Sequence, residues 1–296
     1  MLRRSEASSD AVTECFADDA MIYSTGTTAL QAVTLLNSAL KDTAEWIAQS
    51  DLVLNDKKCV YMFVTPPGKK DHIADCSAIV QMGDHELERK WSVKYLGVHV
   101  DQHLQWSQHF KHVKSKINNG ICLINRAELG LPKEHRVALY RAFVEPHIDL
   151  CAPVWSSAAE KYINNVEVAQ RKVMRALADY DPTQTTDQIF KDWGIQKARE
   201  RWMRLDAQWL YKLRHPLEFP AVPDYIRALV PFRETGRQTR TNSKVTNIVP
   251  PVCRTKIGER MFCHRLRQLD LKFPHEIWNS SSLYTFRHAF SLIVDS

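Results

Sequence analysis

Leu30, Val33, Leu36, Leu40 and Ile47 recur at the spacing of one helical face, so a helix is predicted from about Thr28 to Ser50 with a single buried stripe. Ahead of it, the short apolar runs Ala11-Val12 to Cys15-Phe16 and Ala20 to Tyr23 flank Ala17-Asp18-Asp19, which reads as a hairpin with an acidic tip. A strand from Cys59 to Thr65 ends at the breaker Pro66-Pro67-Gly68, and a second hairpin spans Ile73 to Met82 with Gly83-Asp84 at its turn. Val93 to Val100 alternates as a further strand. From there on the period is helical, over residues 107–128, 133–145, 158–178 and 186–213, with Pro132 and Pro146 at boundaries. Ile163, Val166, Val173 and Leu177 form one stripe, and Ala198, Trp202, Leu205 and Trp209 another. Tryptophans at that spacing are expected in a core before a base-stacking platform. Six prolines between His215 and Pro251 break the pattern and predict an extended, poorly packed connection, after which residues 257–294 form a short terminal unit. Strands with a packed helix followed by helices give an α+β class.

Composition narrows the setting. No apolar run approaches the roughly 18 residues that a membrane span needs, and the first residues lack the apolar region of a secretory signal. Seven cysteines without a Cys-x-x-Cys spacing favour a reducing compartment, hence an intracellular protein of nucleus or cytoplasm. Charge is uneven: residues 1–64 hold five Lys or Arg against nine Asp or Glu, whereas residues 227–272 hold eleven against three. Carboxylates gather where cations bind and basic groups where phosphates are neutralised, although a Pro- and Arg-rich stretch also reads as a solvated linker.

Asp18 and Asp19 are the leading candidates for chemistry. Magnesium takes oxygen ligands and is commonly held by one or two carboxylates together with substrate phosphates. Taken alone, an acidic pair between strands is more often a solvated turn, because Asp is favoured at turns. His99, His103, His109 and His112 lack the partners of a zinc site and suit packing or capping around Trp106. Arg171, Lys172 and Arg175 fall on the polar side of their helix, where they can meet a duplex.

Taken in order, the landmarks are more specific than any member. Phe16-Ala17-Asp18-Asp19 is followed by Leu54-Asn55 with Lys58, Met62 and Phe63, then by Tyr95-Leu96-Gly97-Val98 with Asp101, Leu104, Trp106 and His109. Leu139-Tyr140, Pro146, Trp155, Gln170-Arg171-Lys172 and Arg175 come next, then Pro250, Arg254-Thr255, Gly258, Phe262 and Trp278-Asn279. This series resembles the reverse transcriptase of non-LTR (LINE-type, jockey-like) retrotransposons. Cys59, where that family often has Thr or Ser, and the lack of Leu-Pro after Trp278-Asn279 are departures.

The resemblance implies part of a polymerase palm over residues 1–92, with antiparallel strands and a packed helix. A primer-grip hairpin and helical thumb over 93–213, a Pro/Arg-rich connection over 214–256 and a small C-terminal segment over 257–296 follow. It implies template-directed addition of deoxynucleotides to a primer 3′ end, with an RNA template, a DNA primer and deoxynucleotide triphosphates as partners, Mg²⁺ as cofactor and no membrane. Asp18 and Asp19 would be catalytic metal ligands. Lys58, on a turn held by Asn55, would sit near the departing pyrophosphate, or would be no more than an exposed strand-end lysine. Phe16, Ala17, Tyr95, Leu96 and Gly97 would line the nucleotide and primer side, Gly97 letting the backbone approach the primer end. Arg171, Lys172, Arg175, Arg237, Arg240, Arg254 and Lys256 would contact phosphates. The family places a third essential carboxylate on an earlier strand, and only about 15 residues, roughly one strand with its turns, stand before Phe16. The expectation is therefore the C-terminal portion of a larger enzyme, inactive by itself. A non-catalytic nucleic-acid-binding remnant and a helical protein-interaction module are the alternatives.

Overall fold

In a computed structural model, residues 11–50, 52–66, 79–127, 131–178, 183–232, 248–253 and 256–295 are described. The chain divides into one unit of Met1–Tyr95 with His99–Leu104 and a second of Leu96–Val98 with Gln105–Ser296.

The first unit opens with β1 (Ala11–Phe16) and β2 (Asp19–Ser24), paired antiparallel from Ala11↔Ser24 to Phe16↔Asp19. Helix α1 (Ala29–Gln49) begins where the Thr28 hydroxyl accepts the Gln31 N–H, and the Gln31 side chain accepts in turn from the Thr27 N–H. It buries Val33 and Leu40, with Leu36 and Ile47 partly buried alongside. Leu30, expected on that stripe, is exposed, because its first-turn position lies beyond the cluster that covers the rest. The short strands β3 (Val60–Tyr61), β4 (Gln81–Met82), β5 (His85–Glu86) and β6 (Glu88–Arg89) follow. Asn37 ties helix to sheet: its amide donates to the Ile79 carbonyl at 2.8 Å and its oxygen accepts from the Gln81 N–H at 3.1 Å. Val80, Met82 and Leu87 complete this small core.

Two expectations change here. The strand from Cys59 to Thr65 shortens to Val60–Tyr61, since its partner β6 offers only Glu88 and Arg89, and that ladder is parallel. Beyond it, Thr65 donates to the Gln102 carbonyl at 2.9 Å. The second hairpin turns at Gly83-Asp84 as read, but its described strands are β4 and β5 on either side of that turn. Residues 67–78, including Ile73, lie outside the described residues.

Strands β7 (Ser92–Tyr95) and β8 (Val98–Asp101) pair as a hairpin. The second unit's helices are α2 (Ser107–Ala127), α3 (Lys133–Phe143), α4 (Glu145–Asp149), α5 (Ala152–Trp155), α6 (Glu160–Leu177), α7 (Thr186–Asp192) and α8 (Ala198–Arg214). They are followed by α9 (Asp224–Ala228), α10 (Lys256–Glu259), α11 (Phe262–Lys272) and α12 (Leu283–Asp295). Trp155 is fully buried, with Phe110, His109 and Trp202 set against it edge-on at 5.2, 4.9 and 5.0 Å between ring centres. Its indole N–H donates to the Leu150 carbonyl at 2.6 Å. The α6 stripe of Ile163, Val166, Val173 and Leu177 is buried as its spacing requires.

The continuous helix expected over 186–213 is interrupted. Gly194 adopts φ +59°, a left-handed conformation that ends α7, and α8 restarts at Ala198. The restart is supported from outside: buried Gln170 accepts the Ala198 N–H at 2.9 Å, while its amide donates to the Tyr140 hydroxyl at 2.7 Å and the Gln196 carbonyl at 2.9 Å. The connection after His215 is also better packed than its prolines suggest. Val222, Val230 and Ile248 are buried in one cluster with Leu210, Leu266, Trp278, Phe286 and Phe290. That cluster joins the described parts of the connection, α8 and the terminal helices. Among the described residues, no helix is long and apolar enough to cross a membrane.

Candidate active site

The β1–β2 ladder closes at Phe16↔Asp19, which leaves Ala17 and Asp18 as a two-residue connection. Ala17 takes φ +54°, while Asp18 does not enter the left-handed region. A positive φ at the first central position alone is the sign pattern of a type II′ turn, whose twist matches that of the strands. Glycine is the usual occupant, and an alanine there stores roughly 1–2 kcal/mol of strain. Phe16, Ala17, Asp18 and Asp19 are all exposed, so the carboxylates stand at the tip in water with the Phe16 ring beside them.

Tyr95, at the end of β7, is half-buried. Burial pushes its phenol above the ordinary value, and the negative charge of Asp19, then of Cys15 and Glu14, pushes it further. The field of Asp19 therefore reaches Tyr95, 76 positions away in sequence within the first unit. On the facing strand, His99 is held below its ordinary value by burial and by the Lys94 charge.

At the turn of that hairpin, Leu96 and Gly97 both have positive φ, +46° and +86°. This double sign is that of a type I′ turn. A Cβ on Gly97 would stand 2.9 Å from Leu150 Cδ2, so the close neighbour that the missing side chain accommodates is a leucine. Lys58 ends a 3₁₀ turn, Asp56–Lys58, in which the Asn55 carbonyl accepts the Lys58 N–H at 2.9 Å. The Cys59 thiol donates to the same carbonyl at 3.5 Å. Lys58 is exposed, and no described hydrogen bond or ion pair joins it to Asp18 or Asp19.

Arg171, Lys172 and Arg175 are exposed on α6 opposite its buried stripe, Arg171 lying 3.7 Å from Glu167. Arg237, Arg240 and Arg254 lie outside the described residues, as does the Lys256 side chain. His109 packs on Trp155. Among the described residues, no group of three or more His, Cys, Asp or Glu side chains gathers where a metal could sit. For Mg²⁺ the donor chemistry at the tip is suitable, two adjacent hard oxygen acids open to further ligands from substrate.

Residues 1–100 match the family model described as reverse transcriptase (RNA-dependent DNA polymerase). The chain is also 25% identical over 189 residues to the RNA-directed DNA polymerase from mobile element jockey of Drosophila funebris, covering 63% of this chain and 20% of that protein. It is homologous to the non-LTR retrotransposon reverse transcriptases. A similar relationship holds to the jockey RNA-directed DNA polymerase of Drosophila melanogaster, 20% identical over 70% of this chain and 22% of the relative. The probable RNA-directed DNA polymerase from transposon BS of that fly is 23% identical over 76% of this chain and 24% of the relative. The chain thus spans about a fifth to a quarter of the length of these relatives. No solved structure matches it. The acidic tip and the Tyr95 hairpin both fall within the matched reverse transcriptase segment.

Neither the nearness of Asp19 to Tyr95 nor the role of Gln170 is legible from sequence. The first joins strands far apart in the chain, and a glutamine within Gln170-Arg171-Lys172 looks like one more polar helix residue.

Proposed function

We propose that this chain supplies the metal-binding hairpin and the primer- and duplex-contacting parts of an RNA-directed DNA polymerase that adds deoxynucleotides to a primer 3′ end. The observation that carries the reading is the exposed Asp18-Asp19 tip with Tyr95 inside the field of Asp19, within the segment that matches reverse transcriptases. Asp18 and Asp19 would hold Mg²⁺, which when bound stabilises charge on the attacking and leaving oxygens. Phe16, Ala17 and Tyr95 would flank the nucleotide and primer, and Leu96-Gly97 would shape the primer-side turn. Lys58 would act as an accessory cation toward pyrophosphate. The 93–213 region would serve as hairpin and thumb, with Arg171, Lys172 and Arg175 on phosphates, and Arg237, Arg240, Arg254 and Lys256 would extend that contact. With two carboxylates, these 296 residues alone would hold magnesium weakly and extend no primer.

The test is a chimera of the jockey polymerase of Drosophila funebris in which this chain replaces the matching segment, assayed with homopolymer template, primer and Mg²⁺. Extension that Asp18→Ala or Asp19→Ala reduces by about a hundredfold or more supports the reading. Extension indifferent to both substitutions overturns it. A second reading, nucleic-acid binding without catalysis, is favoured by the exposed basic face of α6, which needs no metal. It predicts hybrid binding that is unchanged in both aspartate variants and in EDTA.

A further inference from the structure

Away from the acidic hairpin, a thiol and an imidazole meet beside the first turn of α11. Cys253 Sγ lies 3.0 Å from His264 Nε2, and the Pro251 carbonyl oxygen lies 3.1 Å from that nitrogen and 3.5 Å from the sulfur. Cys253 and His264 are each partly exposed, so a small reagent can reach the pair. The Pro251 carbonyl only accepts: it can take the thiol S–H while Nε2 is unprotonated, and an Nε2–H once the ring has gained a proton. The ring is therefore placed to take the thiol proton and, once protonated, to hand an N–H to the Pro251 oxygen. A cysteine beside a general base is the usual way in which a sulfur nucleophile is activated.

The other described thiols have different surroundings. Cys263, next to His264, is buried, and burial pushes its thiol above the ordinary value. Cys151 is exposed, with partial desolvation raising its thiol. Cys59 donates to the Asn55 carbonyl. Cys15 and Cys122 are exposed.

We propose that Cys253 is a modification site, a thiol that reacts with small hydroperoxides with His264 as its base. In the step, Sγ attacks one peroxide oxygen, an S–O bond forms and the O–O bond breaks. The thiol proton passes to His264 Nε2 and then to the departing hydroxide of hydrogen peroxide, or alkoxide of an organic hydroperoxide, which leaves as water or alcohol. Sulfur is oxidised to sulfenic acid and the peroxide is reduced, with no other reagent consumed.

The test uses the full 296-residue chain, reduced, and follows each cysteine by peptide mass spectrometry during brief exposure to hydrogen peroxide with dimedone, and separately to N-ethylmaleimide. Cys253 is expected to react about tenfold faster than exposed Cys15 and Cys122, and His264→Ala to bring it to their rate. Cys263 serves as the internal reporter of local folding: if it becomes reactive in His264→Ala, the comparison passes to His264→Gln, which keeps a polar side chain of similar reach. Cys253 reacting no faster than Cys15 and Cys122 in the unsubstituted chain overturns the proposal. So does an unchanged Cys253 rate in a His264 variant whose Cys263 stays protected.

Discussion

Replacing Gln170 by methionine keeps the volume of the side chain and removes its polar end. Three hydrogen bonds vanish together: from its amide to the Tyr140 hydroxyl at 2.7 Å and the Gln196 carbonyl at 2.9 Å, and from the Ala198 N–H to its oxygen at 2.9 Å. Tyr140 and Ala198 are fully buried, so no water replaces the lost partner. Each bond contributes about 1 kcal/mol, and a buried polar group left unmade costs somewhat more, which places the loss near 3 kcal/mol. In urea, a destabilisation of that size lowers the unfolding midpoint by roughly 1–2 M, read from tryptophan fluorescence, to which buried Trp106, Trp155, Trp202 and Trp278 contribute. Tyr140→Phe supplies the internal control. It is expected to cost about 1 kcal/mol less in the Gln170→Met background than in the unsubstituted chain, since the hydroxyl has already lost its donor. A loss below about 0.5 kcal/mol for Gln170→Met would refute the claim that this side chain holds α3, α6 and the start of α8 together.

Gly97→Ala combines an unfavourable φ of +86° with a Cβ 2.9 Å from Leu150 Cδ2, and is expected to cost about 2 kcal/mol in thermal unfolding; Leu150→Ala should recover only the packing share. Asp19→Asn removes one of the negative charges that raise the Tyr95 phenol, so the Tyr95 titration, followed by NMR of labelled tyrosine and assigned with Tyr95→Phe, should shift to lower pH. No shift would separate the acidic tip from that hairpin. Replacing Arg171, Lys172 and Arg175 with glutamine should lower the log–log salt slope of RNA–DNA hybrid binding by about two to three units, and an unchanged slope would remove α6 from the interface.

Long amphipathic helices were the most legible part of the fold. The stripes of α1 and α6 are set by packing on one face, so their spacing alone locates them, and the basic residues of α6 fall on the other side by the same geometry. The division of 186–213 depends on backbone conformation at Gly194 and on a hydrogen bond that the Ala198 N–H donates to Gln170, 28 positions away, which periodicity does not see. In the stretch after His215, prolines promised an open chain, yet apolar residues between them, Val222 and Val230, find a core supplied by α8 and α12. The same limit governs the site. Asp18-Asp19 is recognisable because hairpin and acids are local, whereas the proximity of Tyr95 arises only when distant strands fold together.

In the proposed function, the Asp18-Asp19 tip would bind a divalent cation next to Tyr95. This binding is tested most directly by adding Mn²⁺ with a deoxynucleotide triphosphate to the isotope-labelled chain and mapping paramagnetic broadening of backbone amides. Broadening is expected to centre on Phe16 to Ala20 and to extend to Tyr95, and to be abolished by combined Asp18→Ala and Asp19→Ala. Broadening centred elsewhere, or unchanged in the double variant, would contradict it.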